Sequence, residues 1–138
     1  MSNKDIEDIK QFKRELQSYK NHKANIKRLK EKLLEIDTKL ENVKSPKFEA
    51  VPVHTLNING DMRLHLIEEK EKVNKRIAIY QSIIADIDER LNKLTKEESD
   101  ILKLVYVENV SIGKIARTYY KSESTMYRDI NKMIAKTL

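Results

Sequence analysis

The stretch SIGKIARTYYKSESTMYR, residues 111–128, carries two apolar helical patterns separated by a polar interruption. Ser111 and Ser122 each precede one of these patterns, at the position where a serine hydroxyl commonly caps a helix N-terminus. Upstream, Thr95 and Glu98 have the T-x-x-E spacing of a capping box, which predicts the start of another short helix. Three short helices connected in this way indicate a helix-turn-helix, whose final helix enters the DNA major groove.

The final helix of this segment has one apolar side and one polar side. Its predicted buried stripe is Met126, Ile130, Met133 and Ile134. The outward residues of its first two turns are predicted to contact base edges: Glu123, Ser124, Thr125, Tyr127 and Arg128. The predicted phosphate contacts are Lys114, Arg117, Lys121, Ser122 and Lys132. Because residues 114–138 carry six basic and two acidic side chains, the segment favours a polyanionic partner, double-stranded DNA.

The remainder of the chain predicts two long helices. Apolar residues recur at steps of three and four over residues 9–40, which is the seam of a coiled coil, with a phase slip near Lys23 that resembles a stammer. The same steps recur over residues 66–94, except at Lys70. The second stripe is wider than a two-stranded seam requires, so a homo-oligomer formed through the helical N-terminal half is expected.

Residues 44–61 contain both prolines and one of the two glycines, so they predict a crossover between the long helices. The crossover is expected to be an extended segment lying across the helices or a flexible partner-binding loop, with Asp61 as the N-cap of the second helix. The predicted fold is therefore all-α: a long antiparallel helical hairpin or coiled coil over residues 1–94, followed by a small helix-turn-helix domain over residues 95–138.

Composition argues against several classes of protein. Charged residues make up 36% of the chain and there is no cysteine, which excludes disulfides and thiolate metal sites. The three histidines lack metal-binding spacing, and two isolated glycines cannot build a phosphate-binding loop. No apolar run approaches a membrane span of about 18 residues. The sequence thus predicts a cytoplasmic protein that is not an enzyme and has no cofactor and no membrane contact.

The stretch LTKEESDILKLVYVENVSIGKIARTYYKSESTMYRDINKMI resembles region 4 of bacterial sigma factors. The order of the segments is similar to that of RinA/ArpU-like phage late-gene transcriptional regulators: a basic helical half, a crossover, a second helix and then this module. The resemblance implies an activator of late phage transcription that acts at a DNA site with host RNA polymerase, in the bacterial host cytoplasm. By position, it also implies that Ser122, Glu123, Ser124, Thr125, Tyr127 and Arg128 form the reading face.

Two residues depart from the usual helix-turn-helix pattern. The turn position four residues after Ala116 is normally a glycine in a left-handed conformation, but here it is Tyr120. Either Tyr120 accepts that conformation at about 1 kcal/mol, or the turn differs. Gly113 also weakens its short helix by roughly 1 kcal/mol relative to alanine.

Two other functions remain open from the sequence. A phage small terminase subunit, an adaptor in DNA packaging, also joins helix-turn-helix modules to helical oligomerisation and would form a large ring. A pure protein-interaction module is the third possibility, in which Tyr106, Tyr119 and Tyr120 form a surface for the polymerase.

Overall fold

The computed structural model of the protein describes residues 2–44 and 53–138, and all regular secondary structure within them is helical, which confirms the predicted all-α class. The helices are α1 (Asn3–Lys44), α2 (Val53–Asn92), α3 (Lys96–Leu102), α4 (Ile112–Thr118) and α5 (Glu123–Thr137). A π-helical turn, Lys103–Val107, directly follows α3.

The chain forms two compact units, and both long helices contribute to each of them. The first unit combines α1 up to His22 with residues Ser82–Leu138, and the second unit is Lys23–Gln81. The boundary within α1 falls at the phase slip of its apolar seam. The division into functional segments 1–94 and 95–138 stays a sequence-based prediction, because the compact units group the C-terminal helices with parts of α1 and α2.

The core of the first unit is shared between the long helices and the C-terminal helices. Its fully buried side chains include Phe12 and Leu16 of α1, Ile87 of α2, and Met126 and Ile130 of α5. The short helices therefore bury their apolar sides against α1 and α2 as well as against one another. This shared burial anchors α5.

Polar contacts show how α1 and α2 run in the first unit. The Glu15 carboxylate accepts a hydrogen bond from Arg90 at 3.3 Å, and the Tyr19 hydroxyl donates to Asp88 at 2.7 Å. Because the residue numbers rise along α1 as they fall along α2, the helices are antiparallel, as predicted. The Arg90 guanidinium also lies 4.0 Å from the centroid of the Phe12 ring, a cation–π contact.

In the second unit, α1 and α2 bury the seam that the sequence predicts. Its buried residues are Leu29, Ile36, Leu40, Leu66, Val73 and Ile77. Lys70 interrupts the apolar pattern, and its ammonium is paired with the Asp37 carboxylate at 2.7 Å. Val43 and Met62 line a common apolar cavity beyond that pair, so the helices are antiparallel in this unit too.

The predicted start of the second helix is wrong. Helix α2 begins at Val53, so Asp61 lies inside it rather than at its N-cap, and residues 53–61 do not form a loop. The physical reason is that no proline follows Pro52, and one interior glycine, Gly60, costs a long helix only about 1 kcal/mol.

At the other end of the predicted crossover, Lys44 is the last residue of α1. The rest of that prediction, an extended segment or a partner-binding loop, falls on residues 45–52 and lies outside the described residues.

The connection between the long helices and α3 follows the predicted capping box. The Thr95 hydroxyl accepts from the Glu98 N–H at 3.2 Å, and the Glu98 carboxylate accepts from the Thr95 N–H at 3.2 Å. The Lys136 ammonium, 2.8 Å from Glu98, lowers the pKa of this carboxyl first, and the Thr95 N–H lowers it further.

The π-helical turn was not predicted. The Glu108 N–H donates to the Lys103 carbonyl at 2.9 Å, a five-residue step that turns the Tyr106 side chain into the core. The Lys13 ammonium lies 5.8 Å from the centroid of the Tyr106 ring. Asn109 then ends the segment with φ 57°, a conformation that asparagine tolerates well.

Substitution at Ile87 tests the shared core. Ile87→Ala should lower the free energy of unfolding by about 2–5 kcal/mol, because the side chain is fully buried and its removal leaves a cavity. Ile79→Ala is the matched control on the same helix, since the Ile79 side chain is 59% exposed. Denaturant unfolding followed by circular dichroism measures both values. Equal losses for the two variants would contradict the shared core.

Candidate nucleic-acid interface

Helices α4 and α5 are joined by a tight turn with a serine cap at the start of each helix. The Ser111 hydroxyl accepts from the Lys114 N–H at 3.3 Å, and the Ser122 hydroxyl accepts from the Thr125 N–H at 3.2 Å. Both caps were predicted, and both are confirmed. Ser122 also donates its hydroxyl hydrogen to the Thr125 hydroxyl at 2.9 Å, so this predicted phosphate contact is already engaged in capping.

The turn between them keeps the left-handed residue of a helix-turn-helix. Tyr120 has φ 56°, and its side chain is 97% exposed. The Lys121 N–H donates to the Ala116 carbonyl at 2.9 Å and closes the turn. Of the two outcomes expected for this position, the structure shows the first: the turn is retained with a tyrosine in it, at a cost of about 1 kcal/mol.

The buried side of α5 agrees with the predicted stripe of two methionines and two isoleucines. Thr137 is an additional buried residue that the apolar pattern did not indicate, because it is polar. Its hydroxyl donates to the Ile134 carbonyl at 2.7 Å, which removes the cost of burying it. One side of α5 is therefore fixed in the core along its whole length.

The ten predicted DNA-contacting residues are all solvent-exposed, but they do not occupy one face equally. With about 100° of rotation per residue, Ser124 and Arg128 lie opposite the buried Met126 and Ile130. Thr125 is next to them on the same side. The centre of the outward face of α5 is thus formed by these two small hydroxyl residues and one arginine.

Glu123 lies at the margin of that face and projects toward α4. A Cβ atom built on Gly113 would stand 2.5 Å from Glu123 Oε1, so the carboxylate rests against the glycine. The two residues border a cleft of about 400 Å³ that Arg117 and Lys121 also line. Gly113, which looks like a weakness in the sequence, leaves room for this carboxylate.

Tyr127 lies one turn after Glu123 on the same side of α5, next to the core. Burial raises the pKa of the Tyr106 hydroxyl to about 12, and the neighbouring Tyr127 adds to that increase. Tyr106 is buried, Tyr119 is half-buried and Tyr120 is almost fully exposed. Of the three tyrosines of the possible polymerase surface, Tyr106 is therefore not accessible to a partner, Tyr119 is partly accessible and Tyr120 is open.

The cations around α5 differ in how they are paired. The Lys121 ammonium lies 2.6 Å from the Asp129 carboxylate, and this hydrogen bond is the main cause that lowers the pKa of Asp129. Lys114, Arg117 and Arg128 form no ion pair with any residue that the structure describes. The positive charge of this surface is thus only partly neutralised from within.

No local pattern in the sequence predicts that Asp129 pairs with Lys121, because the two residues are eight positions apart. Lys132 adds to the lowered pKa of the same carboxyl. Two of the predicted phosphate contacts, Lys121 and Lys132, therefore interact electrostatically with the Asp129 carboxylate. The other two cations of that prediction, Lys114 and Arg117, are on α4.

Comparisons with protein-family models, with curated proteins and with solved structures returned no match. Over residues 2–44 and 53–138, no helix is both long and apolar enough to span a membrane. In the same part of the chain, no group of three or more histidine, cysteine, aspartate or glutamate residues is arranged to hold a metal ion.

Relief of the left-handed strain is testable at Tyr120. Tyr120→Gly should raise the free energy of unfolding by up to about 1 kcal/mol, because glycine adopts φ 56° without a Cβ clash and the exposed ring makes little packing contact. Tyr119→Gly is the control and should destabilise, since Tyr119 has φ −98° and packs against the core. Thermal unfolding of both variants decides the point. A loss of stability in Tyr120→Gly would contradict the left-handed turn.

Gly113→Ala tests the contact with Glu123. The new methyl group would meet only the far end of the Glu123 side chain, which can move, while alanine favours the helix by roughly 1 kcal/mol. We expect unchanged or slightly increased stability in denaturant unfolding. Adding Glu123→Ala removes the contact, and Gly113→Ala should then raise the free energy of unfolding by the full helix-propensity difference of roughly 1 kcal/mol. A strongly destabilised Gly113→Ala that Glu123→Ala fails to rescue would show that some other contact requires the glycine.

Proposed function

We propose that this chain is a sequence-specific double-stranded DNA-binding transcriptional regulator. The observation that carries the proposal is the outward face of α5, where Arg128 stands between small hydroxyl residues without an acidic partner among the described residues. The opposite side of the helix is buried, so this face is held rigidly. Rigid elements position base-reading side chains better than loops do.

The residues of this face suit the major groove. Ser124 and Thr125 are short, so the N-terminal half of α5 can approach the floor of the groove closely. Arg128 is long enough to donate two hydrogen bonds to the O6 and N7 atoms of a guanine. The exposed start of α5 carries the positive end of the helix dipole, which favours a nearby phosphate.

The flanking cations supply contacts that do not depend on sequence. Lys114 and Arg117 on α4 are proposed to bind phosphates on one side of the groove. Lys121 exchanges its bond to Asp129 for a bond to a phosphate, which limits the net gain from that contact. Each phosphate neutralised releases counterions, so binding weakens as salt rises.

The specific regulatory role of the chain is proposed from the sequence resemblance. It is activation of late phage transcription together with host RNA polymerase, as in RinA/ArpU-like regulators. The helical N-terminal half is proposed to join copies of the chain, so that paired α5 helices read two half-sites.

Selection from a random duplex library at near-physiological salt tests the proposal. The wild-type protein should enrich a motif that contains guanine. Arg128→Ala should weaken binding to that motif by about 1–3 kcal/mol and relax the preference at one position. Arg128→Lys keeps the charge but not the two-pronged hydrogen bonding, so it should retain non-specific affinity and still lose the preference.

Arg63→Ala is the matched control, because Arg63 is an exposed arginine on α2 in the other compact unit. It should select the wild-type motif. Unchanged motifs for Arg128→Ala and Arg128→Lys would contradict the assigned reading face. Retention that is salt-sensitive but enriches no motif would contradict sequence-specific regulation and would favour a packaging adaptor.

A further inference from the structure

A concentration of positive charge lies in the second compact unit, which does not include α5. Residues 23–32 of α1 and 70–81 of α2 together carry nine basic and two acidic side chains. Their net charge of +7 exceeds the +6 of the whole chain. The two segments pack against each other, because Leu29, Val73 and Ile77 are buried in one cluster. The charge is therefore concentrated in space as well as in sequence.

One ion pair shows which of these cations share a side of the helix pair. The Lys32 ammonium lies 3.4 Å from the Glu69 carboxylate and bridges α1 to α2. Arg28 precedes Lys32 by four residues, so these two neighbour each other along α1. Lys72 and Arg76 follow Glu69 by three and seven residues, so they continue the same row along α2. We call Arg28, Lys32, Lys72 and Arg76 the basic face.

The basic face is exposed and is scarcely neutralised from within. All four side chains are exposed to solvent. Lys32 has the Glu69 carboxylate, while Arg28 donates only to the neutral Asn25 amide oxygen at 2.9 Å. Lys72 and Arg76 form no ion pair with the residues that the structure describes. Like charges spaced by four residues destabilise a helix by about 0.2–0.5 kcal/mol per pair, so the face favours an external anion.

We propose that the basic face is a second surface for double-stranded DNA, which binds the phosphate backbone without reading sequence. Charge complementarity selects this partner. The core of a protein–protein interface is depleted of charged residues, and all four residues of the face are charged. The proposal is independent of α5: the outward face of that helix reads bases, whereas the basic face adds sequence-independent affinity.

The test compares two charge-matched variants of the full chain. The first replaces the basic face by glutamine: Arg28→Gln, Lys32→Gln, Lys72→Gln and Arg76→Gln. The control removes four exposed lysines of the first unit: Lys4→Gln, Lys10→Gln, Lys96→Gln and Lys103→Gln. Fluorescence anisotropy with a short duplex of mixed sequence gives Kd between about 50 and 200 mM salt. Circular dichroism verifies that both variants are folded.

Loss of the basic face should reduce the slope of log K against log salt by up to about 3.6, or 0.9 for each lost phosphate contact. Kd at low salt should rise about tenfold or more. The control should show less than half of either change. Equal changes in the two variants would overturn the basic face as a DNA surface and would leave the reading face of α5 untouched.

The two proposals fail in different ways. If the basic-face variant loses affinity while Arg128→Ala leaves the selected motif unchanged, the basic face is supported and the reading face is overturned. If the wild-type chain binds no duplex even at low salt, both are overturned. An acidic protein would then be the partner class that the charge suggests.

Discussion

The buried contact between the C-terminal helices and the long helices supports everything else in the first unit. Helices α3 and α4 have seven residues each, a length at which an isolated helix is not stable in water. They persist because the core they enter also contains Phe12, Leu16 and Ile87. The same burial fixes the rotation of α5, since Met126 and Ile130 face inward. Arg128 consequently faces outward, and the proposed base reading depends on that orientation.

Charge is used in two ways along the chain. Some ion pairs connect elements of the fold, such as Lys20 with Glu108 at 2.5 Å, which joins α1 to the end of the π-helical turn. Exposed pairs of this kind contribute little stability individually, so they orient rather than stabilise. Other cations have no acidic partner in the described part of the chain. They include Arg128 and all residues of the basic face except Lys32, which pairs with Glu69. This unequal distribution is why a polyanion is the proposed partner of both surfaces.

The features that sequence predicted well are local or periodic. The caps at Thr95, Ser111 and Ser122 depend on a few neighbouring residues, and the apolar seams depend on helical spacing. The π-helical turn, the contact of Glu123 with Gly113 and the sharing of one core require the tertiary structure, so no local pattern revealed them. The predicted start of α2 is wrong because a long helix tolerates Gly60, although glycine commonly interrupts helices. For α5, sequence identified exposed residues, but only the structure separated the centre of the outward face from the margin on which Glu123 and Tyr127 lie.

The most direct measurement is a map of the DNA contact on the protein itself. Titration of the ¹⁵N-labelled chain with a duplex carrying the selected motif, or a mixed-sequence duplex if none is enriched, would be followed by amide chemical shifts. We expect the largest changes at residues 122–128 and at Arg117, with smaller changes near the basic face. Saturable binding that leaves the amides of 122–128 unchanged would contradict the central claim that α5 reads DNA.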